Sequence, residues 1–299
     1  MKIGIVGAGA LGLTFAAALS RAHDVLVLTR SASLARTLGS DGLTLERNGA
    51  VERAPLAASS DPQSFADREA VIVAVKAQAT ASALAPLRGV LPPHALVTSI
   101  QNGLEFRETA RAALPGARVA AGSTMQGAFR LGAAHVRVVN RGASVFERER
   151  SGTPATEELV AAFAEAGLEA VVTDEIESVL WRKLIVNAAV NPVCALAGRL
   201  NGAVAGDPDL QPVARALANE AAAVAAADGI PIGDPWPLVE AAATSSAANR
   251  NSMLQDLDAG RPTEIDAICG AIVRRAAPHR IAVPLTETML RLVRARERA

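Results

Sequence analysis

Lys2-Ile3-Gly4-Ile5-Val6-Gly7-Ala8-Gly9-Ala10-Leu11-Gly12 opens the chain and sets its fold class. The first residues form a short apolar run with β-branched side chains that stops at glycine, the pattern of a core strand. Gly7-Ala8-Gly9-Ala10-Leu11-Gly12 then fits Gly-x-Gly-x-x-Gly, and Leu11, Phe15, Ala18 and Leu19 follow at helical spacing. Strand, glycine loop and helix stand in the order that a dinucleotide-binding βαβ unit requires. The first glycine allows the turn, the second lets the backbone approach a pyrophosphate, and the third lets helix and strand pack closely. The free N–H groups and positive dipole end of the helix then face the anion. A purely structural glycine turn would satisfy the same motif, but its place directly after a clean strand favours the dinucleotide.

The chain has 299 residues, half of them hydrophobic and a fifth charged. That exceeds what one compact core usually organises, so two domains are expected. Thirty Lys and Arg balance thirty Asp and Glu; no long-range field draws the chain to nucleic acid or an anionic membrane, and a phosphorylated ligand needs a local site. With a strand at the very start no signal peptide is expected, and no uninterrupted apolar run reaches the length of a bilayer span. With only Cys194 and Cys269, no disulfide framework is indicated and a cytoplasmic location is the expectation. There is no tyrosine, which excludes reductases that protonate a carbonyl from a Tyr hydroxyl. His23, His94, His135 and His279 make no pair at metal-ligand spacing, so no metal is expected. The acid for a ketone reduction must be sought among Lys, Asp and Glu.

Asp24 to Leu28 reads as a second strand ending in Thr29-Arg30. An NAD site usually places an acidic residue here; Arg30, followed by Ser31 and Ser33, instead suits a 2′-phosphate by charge and by its fork of donors. An ordinary surface arginine opening the next helix would look the same. A helix over 31–39 and short strands over 42–58 follow. Ala70 to Val75 is purely apolar, as expected of a strand covered on both faces. Lys76 sits at its carboxyl end, the edge that faces ligand in an open parallel sheet, although a solvent-exposed strand-end lysine is the plainer alternative. A helix over 80–88 leads to a strand over 95–100 that ends in Gln101-Asn102-Gly103. The Asn102 amide suits a nicotinamide amide or a ribose, and Asn-Gly equally suits a turn. A strand over 119–122 ends in the polar group Ser123 to Ala128. Residues 134–147 alternate as an antiparallel hairpin closing the sheet, and a helix over 154–166 with a strand over 170–173 completes the first domain. Beyond Asp174 the period becomes helical. The expected fold is α/β: a Rossmann-type dinucleotide-binding domain, residues 1–174, followed by an all-α domain, residues 175–299.

Glu177 to Val190 is apolar almost all round, hence a buried helix. Lys183, Asn187 and Asn191 nevertheless recur at four-residue spacing and share one stripe. Leaving such groups unpaired costs about 1–3 kcal/mol apiece, so another segment or a polar ligand must meet them, and three on one stripe favour the ligand. A second concentration runs from Asn249 to Asp266. Ser252 to Asp256 reads as closing one helix, Ala259-Gly260-Arg261-Pro262 as breaking it, and Thr263-Glu264-Ile265-Asp266 as a capping box with Thr263 as N-cap. Glu264 falls in the first turn, where the dipole favours an anion and accounts for it without any ligand. The last helix, over 286–298, gathers arginines at its C-terminal end, a dipole-favoured terminus rather than a nucleic-acid patch.

These motifs together resemble the ketopantoate reductase family, 2-dehydropantoate 2-reductases that use NADPH in pantothenate synthesis. The likeness runs through the glycine loop, Arg30, Val75-Lys76, Gln101-Asn102-Gly103, Gly127-Ala128, Trp181-x-Lys183-Leu184-x-x-Asn187, Asn191-Pro192, Ser252-Met253-Leu254-Gln255-Asp256, and Gly260-Arg261-x-Thr263-Glu264-Ile265-Asp266. The resemblance implies that Arg30 holds the 2′-phosphate and that Lys76 and Asn102 border cofactor and substrate. It makes Lys183 the general acid, and Asn187, Asn191, Asn201, Ser252 and Glu264 substrate ligands, with Glu264 binding the substrate's distal hydroxyl or orienting Lys183. The implied partner is a small 2-oxo acid held between the domains against NADPH; the motifs do not fix which one. A β-hydroxyacid or opine dehydrogenase, or an NADPH-sensing module without catalysis, stays open, and the aligned Lys183, Asn187 and Asn191 argue against the last. The apolar helical domain can support a homodimer.

Overall fold

In the computed structural model, which describes residues 1–149 and 154–298, the opening run forms β1 (Lys2–Val6), and the glycine loop leads into α1 (Ala10–Leu19). There follow β2 (Asp24–Leu28), α2 (Ala32–Asp41), β3 (Leu43–Arg47), β4 (Ala50–Ala54), β5 (Ala57–Ser59) and β6 (Ala70–Val73). Then come α3 (Thr80–Leu84), β7 (Leu96–Ser99), α4 (Phe106–Ala113), β8 (Arg118–Val119), β9 (Gly122–Thr124), β10 (Gly127–Gly132) and β11 (His135–Asn140). β12 (Ser144–Glu147), α5 (Ala155–Glu165) and β13 (Ala170–Thr173) end the strand-bearing part. Beyond it, the described regular elements are helices: α6 (Ile176–Ala197), α7 (Ala203–Gly206), α8 (Leu210–Ala227), α9 (Trp236–Ser245), α10 (Ser252–Asp258), α11 (Ile265–His279) and α12 (Pro284–Arg296). The chain divides into two compact units, Met1–Gln101 with Phe106–Ile176, and Asn102–Glu105 with Glu177–Ala299.

In the first unit β5-β2-β1-β6-β7-β8 form a six-stranded sheet in which every pairing is parallel. The chain builds outward from β1 in both directions, first through β2 and then through β6, so the β1/β6 boundary is the switch point at which such sheets bind dinucleotides. The apolar run in β6 is split between two cores by the two-residue period of a strand. Ala70 and Ile72 join Ile3, Ile5 and the buried face of α1 on one side, whereas Val71 and Val73 join Leu84, Val97 and Ala110 on the other. This is the both-faces-covered arrangement that an unbroken apolar strand requires.

The hairpin expected over 134–147 is not formed. β10 and β11 make the antiparallel pair, extended by β3 and β4 into a separate four-stranded sheet, while β12 pairs with β9 and β13. Between them lies Gly142, where a Cβ would lie 2.5 Å from the Met125 carbonyl carbon. The alternating pattern therefore runs on unchanged while the strand it belongs to changes sheets.

In the second unit α6 is 22 residues long, and its apolar stretch has a mean hydropathy of 1.3, long and apolar enough to cross a bilayer. It is interrupted by Arg182 and Lys183, and 67% of that stretch is buried in the fold, as in a core helix. Two helix boundaries differ from expectation. Ser252 to Asp256 opens α10 instead of closing a helix, because the Asn251 side chain accepts the Leu254 N–H at 2.9 Å as its N-cap. Asn before a run of helix formers is the start signal that identifies it. At α11 the N-cap residue is Glu264, not Thr263. The Thr263 hydroxyl accepts from Ile265 N at 3.1 Å, and the Thr263 N–H that a capping box would give to Asp266 goes to Glu297 at 2.7 Å. Asp266 is drawn away to Arg294.

Candidate active site

In the parallel sheet the carboxyl ends of β1, β2, β6 and β7 lie on one edge, and the glycine loop, Arg30, Lys76 and Gln101 leave from them. At Gly12 a Cβ would stand 2.1 Å from the Gly7 carbonyl oxygen, so helix–strand packing excludes any side chain. Gly9 is different. Its φ of −76° suits any residue, and a Cβ there would meet only the Ala74 carbonyl oxygen at 3.6 Å, an ordinary contact. The protein itself does not demand glycine at this position; a pyrophosphate drawn close to the backbone does. α1 carries no side-chain cap and no acidic residue in its first turn, which leaves its first N–H groups and positive dipole end for an anion. Arg30 is exposed and its guanidinium has no partner among the described residues. Beside it Ser31 caps α2, accepting from Leu34 N at 3.1 Å, and meets the Ser33 hydroxyl at 2.8 Å. Lys76 is half-buried. The Gln101 amide donates to Val75 O at 2.7 Å and to the Thr80 hydroxyl at 2.8 Å, tying the ends of β6 and β7 together. These residues fit a nicotinamide dinucleotide.

The polar residues of the second unit gather along α6. Lys183 and Asn187 are half-buried and Asn191 is 6% exposed, on a helix whose Trp181, Leu184 and Ile185 are almost completely covered. Burial pushes the Lys183 ammonium down from 10.5 to about 8, and the charge of Glu264 opposes that fall. Glu264 in turn receives the Asn102 amide, Nδ2 to Oε2, at 2.8 Å, and the Asn187 amide reaches the Asn102 Oδ1 at 3.4 Å. Lys183, Asn187, Asn102 and Glu264 thus form one connected group. The Asn191 amide has no hydrogen-bond partner among the described residues, and its donors and acceptor are available to a polar ligand. An ammonium near pH 8 beside a fixed carboxylate and an unspent amide can polarise a carbonyl, supply a proton and hold an acid.

Asn201 and Ser252 stand apart in their bonding. The Asn201 amide donates to the Ser246 hydroxyl at 3.0 Å and its oxygen accepts from Asn251 at 3.2 Å, so a substrate would share an amide already engaged once as donor and once as acceptor. Ser252, the first residue of α10, is exposed. Sequence reasoning passed over Asn251 and Ser246, of which only Asn251 carries a signal, that of an N-cap. It also passed over Arg130, which donates from Nη1 to the Ala8 carbonyl at 3.0 Å and braces the glycine loop from 122 residues away.

Two family models match the chain: ketopantoate reductase PanE/ApbA over residues 3–150 and its C-terminal domain over 175–297. A 2-dehydropantoate 2-reductase of Halobacterium salinarum is 33% identical, the alignment covering 100% of this chain and 99% of that protein. The crystal structure of a PanE/ApbA family ketopantoate reductase from Ralstonia eutropha superposes with a TM-score of 0.91 at 33% identity, covering 99% of this chain and 98% of the other. A D-mandelate dehydrogenase solved with NADH and anilino(oxo)acetate is similar to the same extent in fold, with a TM-score of 0.92 at 27% identity, covering 99% and 98%.

The two glycines separate folding from binding. Gly9→Ala is expected to leave the melting temperature unchanged or slightly raised, since its φ is compatible with alanine, while the calorimetric Kd for the dinucleotide weakens roughly tenfold or more, about 1.4 kcal/mol. Gly12→Ala is expected to lower stability by about 1–3 kcal/mol, because its Cβ meets backbone and not a yielding side chain.

Proposed function

The chain belongs to the ketopantoate reductase family, and we propose that it reduces a 2-oxo acid to the 2-hydroxy acid with NADPH, 2-dehydropantoate being the foremost substrate. The observation that carries this reading is the connected group on α6 and α11, in which an ammonium lowered to about 8 answers to Glu264. A nicotinamide dinucleotide, when bound, supplies the hydride that saturates C2 of the oxo acid. The first N–H groups of α1 and the backbone at Gly9 hold its pyrophosphate, Arg30 its 2′-phosphate, and Lys76 lies at the same sheet edge.

Lys183 performs the acid step. Its Nζ donates to the keto oxygen, stabilises the negative charge that grows there, and gives up one proton to make the hydroxyl, after which the neutral amine takes a proton back from water. A lysine near 8 remains mostly protonated around neutral pH yet parts with its proton more readily than an ordinary lysine. Glu264 keeps the ammonium charged before the step and is itself held in place by Asn102. Asn187 and the unspent amide of Asn191 bind the carboxylate of the substrate, and Glu264 accepts its distal hydroxyl. Asn201 and Ser252 line the same substrate region in this proposal.

The likeness to D-mandelate dehydrogenase favours a second reading, an aromatic 2-oxo acid reduced with NADH. Oxidation of NADPH and NADH against a panel of 2-dehydropantoate, benzoylformate and small aliphatic oxo acids decides between them.

Four outcomes are expected. Lys183→Ala lowers kcat by roughly 10²–10⁴-fold without changing the dinucleotide Kd; wild-type turnover in this variant would remove Lys183 from the role of acid. The kcat/KM for reduction is level below about pH 8 and falls above it as the ammonium is lost. Because the folded-state pKa lies below the ordinary 10.5, the unfolded chain binds more protons between those values and stability rises with pH across that window; in Lys183→Met that rise disappears. For Arg30→Ala the KM for NADPH rises about ten- to a hundredfold, the worth of one charge-assisted contact, with NADH little affected. Equal changes for both cofactors would mean that Arg30 does not read the phosphate.

A further inference from the structure

Asn102-Gly103-Leu104-Glu105 joins β7 to α4, both in the first unit, yet these four residues belong by their contacts to the second. They are fastened along α11. The Asn102 amide donates to Glu264 at 2.8 Å. Gly103, with φ +96°, passes so near the helix that a Cβ would lie 3.0 Å from the Ala267 carbonyl oxygen. Leu104 is buried, 8% exposed. The Glu105 carboxylate is gripped by Arg274 through a fork, Nε to Oε1 at 2.6 Å and Nη2 to Oε2 at 2.8 Å. The same Nη2 also donates to the Asp266 carbonyl at 2.9 Å, locking the guanidinium to its own helix.

Of these fastenings only the Arg274 fork fixes direction as well as distance. Two parallel charge-assisted bonds hold a planar group in one orientation, which a buried leucine or a single amide contact does not. Arg274 lies ten residues beyond Glu264 on α11, about three turns of helix, and both ends of the four-residue strap are therefore pinned to one rigid element. We infer that Arg274 is a positioning residue for the proposed reduction: through Glu105 it sets the strap so that the Asn102 amide stays on Glu264 and within reach of Asn187. The inference rests on the reading of Lys183 and Glu264 given above. The side chains of Arg274 and Glu105 are 48% and 46% exposed, so their pairing contributes little to global stability, and the effect of losing it is confined to the strap.

The test uses the full chain with Arg274→Ala, Asn102→Ala and the double variant. In Arg274→Ala, amide exchange in the peptide spanning 102–105 is expected to speed up about tenfold while exchange in β1 and α8 and the melting temperature hold. The KM for 2-dehydropantoate rises about tenfold or more, as a small misplacement near the reacting group allows, with the NADPH KM unchanged. In the Asn102→Ala background the Arg274→Ala change adds nothing further, because the residue acts through Asn102. Unchanged exchange in the strap, multiplicative effects in the double variant, or an equal rise in both KM values would each overturn the inference. Should Arg274→Ala not fold, Glu105→Gln removes the charge while keeping the shape and is read in the same way. If the wild type reduces no oxo acid, the functional reading fails, and the exchange comparison alone still decides whether Arg274 holds the strap.

Discussion

An ammonium on an apolar helix is the constraint to which the second unit answers. Lys183 loses hydration among residues of α6 that are almost wholly covered, and that loss, partly offset by the charge of Glu264, brings its pKa to about 8. To remain charged near neutral pH it needs a negative partner that does not wander. Glu264 occupies the N-cap position of α11, where the helix dipole favours a carboxylate, but its side chain makes no cap bond and is spent on Asn102 instead. A residue that would ordinarily serve its own helix is thereby bonded to the segment that follows β7.

The two units suit their proposed ligands in different ways. In the first, the requirements fall on the backbone: a glycine that packing demands, a glycine that packing does not, and a helix start left without cap or acid. Such a site tolerates many side chains around it as long as the loop keeps its path, and Arg130 secures that path by holding the Ala8 carbonyl. In the second unit the requirements fall on side chains from α6, α11 and the strap, each of which has to be aimed. That difference explains why the helical unit devotes charged forks such as Arg274–Glu105 to orientation and not to its core.

Local periodicity made much of this protein legible from its residues. The strand, glycine loop and helix at the start, the doubly covered run at β6, and the stripe of Lys183, Asn187 and Asn191 all follow from spacings of two or four residues along one element. Arg30 and Lys76 could be placed at strand ends for the same reason. Where the pattern is continuous but the chain changes partners, as at Gly142, the period carries no warning, because alternation reports which face a residue takes and not which sheet it joins. The capping motif at Thr263 failed likewise, since its donor was claimed by Glu297 from the far end of the chain.

By itself, then, the sequence determined the α/β class, the glycine loop after the first strand and the polar stripe on the buried helix, because each is written in neighbouring residues and in the steric rules of a single strand or helix. Only the tertiary structure decided that Asn102, 162 positions from Glu264, would give that carboxylate its hydrogen bond, that Asn201 would be engaged by Asn251 and Ser246, and that Arg274 would hold the strap. Those pairings join residues 45 to 169 positions apart, and a bond across space leaves no spacing in the chain by which to foresee it.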